Sequence, residues 1–162
     1  MSHEPDVPPG NPNPGGGPPP GGFAGTASLG ARIGARLLDV LLIAVPAAIV
    51  LWLVGIGRDG GGWIGSAVFS VLWFGYFVWF ESNRGATIGK RLLNLRVVVA
   101  DGSNPPVEAT AKRNLWMLFG LVPIVGGLIW FVAVIVIIVT IASDDANRGF
   151  HDNFAGTAVM RA

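Results

Sequence analysis

Three long apolar blocks limit what this chain can fold into. Val40 to Ile56 carries no charged residue, and neither does the eighteen-residue run from Trp63 to Phe80. A third block, Leu115 to Ala142, is twenty-eight residues long. A helix needs about 20 mostly apolar residues to cross the hydrocarbon core of a bilayer. In lipid each backbone polar group must be satisfied within the protein, which leaves helices or closed barrels. The expectation is an all-α integral membrane protein built on three apolar helical blocks. Composition agrees: 13% of the 162 residues are charged and 51% are hydrophobic, against roughly 25% charged in a soluble domain. Mean hydropathy is +0.57.

The first block is preceded by charge. Arg32, Arg36 and Asp39 enter the same helix, and at 3.6 residues per turn they share one face. Charges near a bilayer are costly and are usually paired or turned toward the bundle interior. Asp39 with Arg32 as its partner is the expected pair, and both join Arg36 in a candidate ligand or ion site. Pro46 lies mid-span, where it should kink the helix and free a carbonyl.

Residues 1–22 hold fourteen Pro and Gly. They have little to bury and read as a disordered tail, with 23–162 as the transmembrane domain. No basic residue precedes the apolar run before Arg32, so a signal peptide is not expected. Gly57 to Gly62 reads as a short loop between spans one and two. Trp63 and Trp79 sit where interfacial aromatic anchors are expected.

Residues 81–113 form the main polar segment and contain Arg84, Lys90, Arg91, Arg96, Lys112 and Arg113, whereas the preceding loop has only Arg58. Cytoplasmic loops carry the Lys/Arg excess, so this segment and the N-terminus are expected in the cytoplasm, with the protein multi-pass in the plasma (inner) membrane. Lys90, Arg91 and Arg96 are candidate contacts for anionic lipid head groups. Leu95 to Ala100 is β-branched and ends in Asp101-Gly102, a strand-and-turn signal.

Leu115 to Ala142 is long for one span and short for two. Pro123, Gly126 and Gly127 interrupt it. It is either one tilted span or a broken hairpin, entering over 107–122 and returning over 124–142. The strand-like Thr157 to Met160 would pair with Leu95 to Ala100, and that pairing needs both on one side of the membrane. The hairpin is therefore preferred, with a small cytoplasmic strand pair.

Three motifs carry a resemblance. Arg32, Ala35 and Asp39 enter helix one; Gly89 to Val98 leads to Asp101-Gly102; His151-Asp152 is followed by Ala155, Gly156, Thr157 and Val159. In this order the chain resembles the RDD family over residues 30–160. The resemblance implies that Arg32, Asp39 and Asp152 are the family's name-giving trio, and it adds Asp152 to the candidate site. It implies transport of an unidentified ligand, without naming one.

The functional expectation is movement of a small ligand or ion through the Arg32/Asp39 face. The alternative is a membrane scaffold or accessory subunit acting through its basic loop and Pro-rich tail. An enzyme is not expected: His151-Asp152 is the only His–carboxylate neighbour pair, and adjacent helical residues do not face each other. No cofactor or metal is expected, since the chain has no Cys and one His outside the tail. The bilayer is the main partner. A chain this short would act as a homo-oligomer or in a larger complex. A net charge of +1 gives no reason to expect nucleic acid.

Overall fold

The computed structural model describes residues 25–56 and 63–162. The Pro/Gly-rich tail and the 57–62 loop lie outside these.

Ser28 starts the first helix in extended backbone, and its hydroxyl accepts from the Ala31 N–H at 3.4 Å. Helix α1, Leu29–Asp39, buries Arg32, Ala35 and Asp39. Its other side exposes Ile33 and Leu37. The helix continues without a break as a π-helical stretch, Val40–Ala44, and then α2, Val45–Leu53. Pro46 lacks an N–H and cannot join a regular ladder. Widening the turn accommodates it: the Val45 N–H donates to the Val40 carbonyl, five residues back. The expected break at Pro46 is thus a local π-turn within a 25-residue apolar helix, Leu29–Leu53.

The second span, α3, is Trp63–Arg84. It runs four residues past the expected end at Phe80 and so takes in Glu81. Its inner side is an aromatic column in which Trp73 stacks on Tyr76 at 5.4 Å and meets Phe77 edge-on at 5.0 Å. A short helix, α4, Ile88–Leu92, follows and is capped by Thr87, which accepts from the Lys90 N–H. α4 lies against α1. A side chain at Gly89 would overlap the Ala35 carbonyl oxygen and come within 2.9 Å of the Asp39 backbone nitrogen.

Strand β1, Leu95–Val99, pairs antiparallel with β2, Thr157–Arg161, with Val97 opposite Val159. This is the expected pair. The Ala27 N–H extends it by donating to Val159 O at 2.7 Å. Ala27, Ala35, Leu95, Val97 and Val159 form a small core that fastens the strands to α1.

The third block is a broken hairpin. Helix α5, Val107–Asn114, runs into a 3-10 segment, Leu115–Leu121, against α3. The 3-10 segment ends beside the start of α3, where Trp63 Nε1–H donates to Leu121 O at 3.0 Å. The chain turns at Pro123–Val125, where Ile124 takes a positive φ of 66°, and returns as α6, Gly126–Ser143. Helix α7, Phe150–Ala155, leads through Gly156, whose φ of 64° ends the helix in left-handed geometry, into β2. The apolar sides of α2 and α6 are largely exposed. Among the described residues three helices, Leu29–Leu53, Trp63–Arg84 and Gly126–Ser143, are long and apolar enough to cross a membrane.

Candidate functional site

The start of α1 and the ends of α3 and α6 lie together, covered by α4, α5, α7 and the strand pair. Most of the buried charge is here. Asp152 is the third residue of α7 and accepts from its own Gly149 N–H at 3.1 Å. The same carboxylate accepts from Arg32 Nη1 at 2.5 Å and from Arg113 Nη1. Arg113 also donates to Thr157 Oγ1 at 3.0 Å, and its Nε lies 3.5 Å from Glu81. Glu81 accepts from Lys90 Nζ and from Asn114 Nδ2, the latter at 3.0 Å. One arginine on α5 therefore bridges the carboxylates of α3 and α7.

Asp39 forms a separate cluster. Its carboxylate accepts from Thr87 Oγ1 at 2.7 Å, the Gly89 N–H at 2.7 Å and Tyr76 O–H at 2.8 Å. Tyr76 in turn accepts from the Ile88 N–H at 3.0 Å. Two amides at the start of α4 are thereby satisfied from α1 and α3. The expected Arg32–Asp39 pair does not form. Seven residues of helix separate these two by about 10 Å along the axis, and each finds a partner from another element. The Arg32–Asp152 pair, which links two members of the resemblance trio, does form.

Electrostatics outside the spans follow from burial and neighbours. Burial opposes ionisation of Asp152, but Arg113 and Arg32 outweigh it and hold the carboxyl well below its usual range. Burial pushes His151 down to about 3 against the attraction of Asp152, so its imidazole is neutral. Lys90 is pushed down to about 8 by burial, opposed by Glu81.

Arg36 stands apart from this network. Glu81 and Asp39 attract it, but it forms no direct ion pair among the described residues. Its Cζ lies 3.9 Å from the centre of the Phe77 ring and 5.6 Å from that of Trp116. Its Nη1 is enclosed and has no hydrogen-bond partner among the described residues. A desolvated ion without a direct ion pair costs several kcal/mol, and a carboxylate brought to 4 Å would return about 4 kcal/mol at an effective dielectric of 20.

Arg36 faces a cavity of about 300 Å³ between α1, α5 and α6, which Arg32, Trp116 and His151 also line. A larger cleft of about 790 Å³ lies farther along the bundle, lined by Ala44, Ala48, Phe69 and Met117 among others. The two share Val40, Trp73 and Trp130 as wall residues. Among the described residues no group of three His, Asp or Glu is placed to hold a metal.

The candidate residues divide accordingly. Arg32, Arg36 and Asp39 lie on one side of α1, Arg32 and Asp39 buried and Arg36 half-buried, and Asp152 reaches Arg32. Of the three head-group candidates, Lys90 is buried on Glu81, Arg91 is exposed on α4, and Arg96 donates to Asn104 at 3.1 Å. They do not form one outward surface, because Lys90 turns inward to Glu81. Sequence reasoning missed Glu81, Arg113, Thr87 and Tyr76 as site residues. Glu81 had a signal, since it sits one helical turn after Phe77 and repeats the inward aromatic side.

The RDD family profile matches residues 26–156. The chain is also similar to a Bacillus subtilis (strain 168) protein named "Uncharacterized protein YckC", 32% identical over 135 residues, 81% of this chain and 82% of that one. No solved structure matches.

Proposed function

The chain belongs to the RDD family, and we propose that it moves a small ligand or ion across the plasma (inner) membrane through the Arg32–Arg36–Asp39 side of α1. One observation carries this reading. The enclosed Nη1 of Arg36 has no hydrogen-bond partner among the described residues, and Arg36 lines a cavity that adjoins a second, apolar cleft along the bundle. A group that only balanced charge would have a partner, as Arg32, Lys90 and Arg113 do. In this reading Arg36 holds the ligand, and Asp39 fixes α4 beside it. The six basic residues of 81–113 against one in 57–62 support a cytoplasmic N-terminus, which puts the charged end of the bundle on the cytoplasmic side. Several copies would assemble to complete a path.

The test is dissipation of an imposed pH gradient in proteoliposomes by sodium, potassium, chloride or acetate. Wild type is compared with Arg36→Gln and Asp39→Asn at matched insertion. Dissipation by any of these that both variants reduce is the expected result. No dissipation with the whole panel, from inserted protein, rejects the reading. A scaffold is the second reading, favoured by one observation: Asp39 and Asp152 are fully occupied by protein donors, as in a structural clamp. Its test is loss of a co-purifying partner on deleting residues 1–22.

A further inference from the structure

We infer that the Arg36 cavity binds the carboxylate head of a single-chain amphiphilic acid, with its apolar chain running into the adjoining cleft. This deepens the ligand reading above and rests on that site, but binding alone, without movement, is enough for it to hold.

Unpaired polar atoms mark the place of the head group. Arg32 Nη2, Arg36 Nη1, Trp116 Nε1 and His151 Nδ1 are all buried without hydrogen-bond partners among the described residues. All four residues line the one cavity of about 300 Å³. Buried polar atoms are nearly always satisfied, so four orphans around one space describe the ligand they lack. The two guanidinium nitrogens and the indole can only donate, and a neutral imidazole carries its proton on either nitrogen and can adapt. Three fixed donors call for an acceptor-rich group. Arg32, Arg36, Lys90 and Arg113 line the space with Asp39 as the one carboxylate among them, so the lining favours an anionic head over a neutral one. A carboxylate is anionic, and its two oxygens suit guanidinium donors.

The tail argument comes from the walls. Val134, Ile137, Ile138 and Ile141 of α6 line the same cavity and offer nothing polar to a ligand. Beyond Val40, Trp73 and Trp130 lies the cleft of about 790 Å³, whose lining is mostly apolar. From Arg36 to Trp52, helix one is about 24 Å long, room for an extended long chain. Ile33, Leu37 and Ile138 line the cavity and are also exposed on the outer apolar surface, so a lipid-soluble acid reaches the site from within the bilayer. A small inorganic anion would fill the head position and leave the rest of the space empty.

Equilibrium binding to the purified full chain in detergent micelles tests this, with hexadecanoate as the probe. Hexadecanol has the tail without the charge, acetate the head without the tail, and phosphatidylglycerol supplies an anionic head on two chains. The expected result is saturable hexadecanoate binding at one site per chain, at least tenfold weaker in Arg36→Gln. Trp116→Phe, which removes one donor and keeps the ring, should weaken it several-fold. Hexadecanol and acetate should not compete. Equal binding by hexadecanol, undiminished binding in Arg36→Gln, or a preference for phosphatidylglycerol overturns the inference. Hexadecanoate binding without flux of any probe rejects the transport reading alone. Flux of an inorganic ion with no hexadecanoate binding rejects this inference alone.

Discussion

Replacing Arg36 and replacing Arg113 with methionine should have opposite consequences, although both arginines belong to one cluster, Arg113 buried and Arg36 half-buried with its Nη1 enclosed. Arg113 joins Asp152, Thr157 and Glu81. Its loss strips donors from two carboxylates that are themselves inaccessible to solvent. Breaking a buried pair in this way costs about 3–5 kcal/mol. Arg32 remains on Asp152, and Lys90 and Asn114 remain on Glu81, so the low end, about 3 kcal/mol, is expected. Arg36 makes no ion pair among the described residues. Methionine keeps much of its apolar stem and gives up a contact with the Phe77 face, which is worth about 2 kcal/mol at a partly desolvated site. In return it removes a desolvated charge that Glu81 and Asp39 attract only without direct pairing, and the desolvation of such an ion costs several kcal/mol. Arg36→Met should therefore be at least as stable as wild type. Unfolding in mixed micelles, followed by circular dichroism, measures both variants on the same scale. A loss of about 3 kcal/mol in Arg36→Met, matching Arg113→Met, would refute the claim that Arg36 is kept for something other than stability.

Other consequences follow from the same geometry. Gly89→Ala places a methyl group against the Ala35 carbonyl and Asp39, and should cost about 1–3 kcal/mol as α4 is pushed off α1; Gly30→Ala, with open space around it, should not. Thr87→Val removes a buried donor to Asp39 and should cost about 1–3 kcal/mol in the same assay. His151 titrates at about 3 in the fold against 6.5 when free. Below pH 6.5 the unfolded chain binds a proton that the folded chain does not, so stability is complete above pH 6.5 and falls as pH drops. The slope approaches about 1.4 kcal/mol per pH unit, or roughly 2 kcal/mol between pH 6.5 and 5. His151→Phe should flatten that limb, and an unchanged slope would remove His151 from the cause. Because the chain lacks cysteine, Val97→Cys with Val159→Cys gives a clean cross-link test. These residues face each other across β1 and β2 and should form a disulfide on mild oxidation, with no bond from Val97→Cys and Ile124→Cys.

The spans were legible because uncharged length is a strong physical signal, and the strand pair because β-branched residues and Asp101-Gly102 marked its first half. The hairpin followed from requiring both strands on one side. Partners within the charged cluster were harder to read. Arg32 meets Asp152 across 120 positions of sequence, a contact made by the return of α6 and not by any local pattern. Asp39 is matched by a hydroxyl and an amide around the turn into α4, groups that do not register in a charge count. Glu81 opens the segment that reads as a loop, while in the fold it is the last buried turn of α3. Lys90 counted as a topology signal, yet Glu81 turns it inward.

The most direct measurement is a native mass spectrum of the full chain released from membranes in mild detergent. The account predicts a single adduct with the mass of a long-chain acid on wild type, absent from Arg36→Gln. A wild-type chain that stays bare after hexadecanoate is added, or an equal adduct on Arg36→Gln, would contradict it.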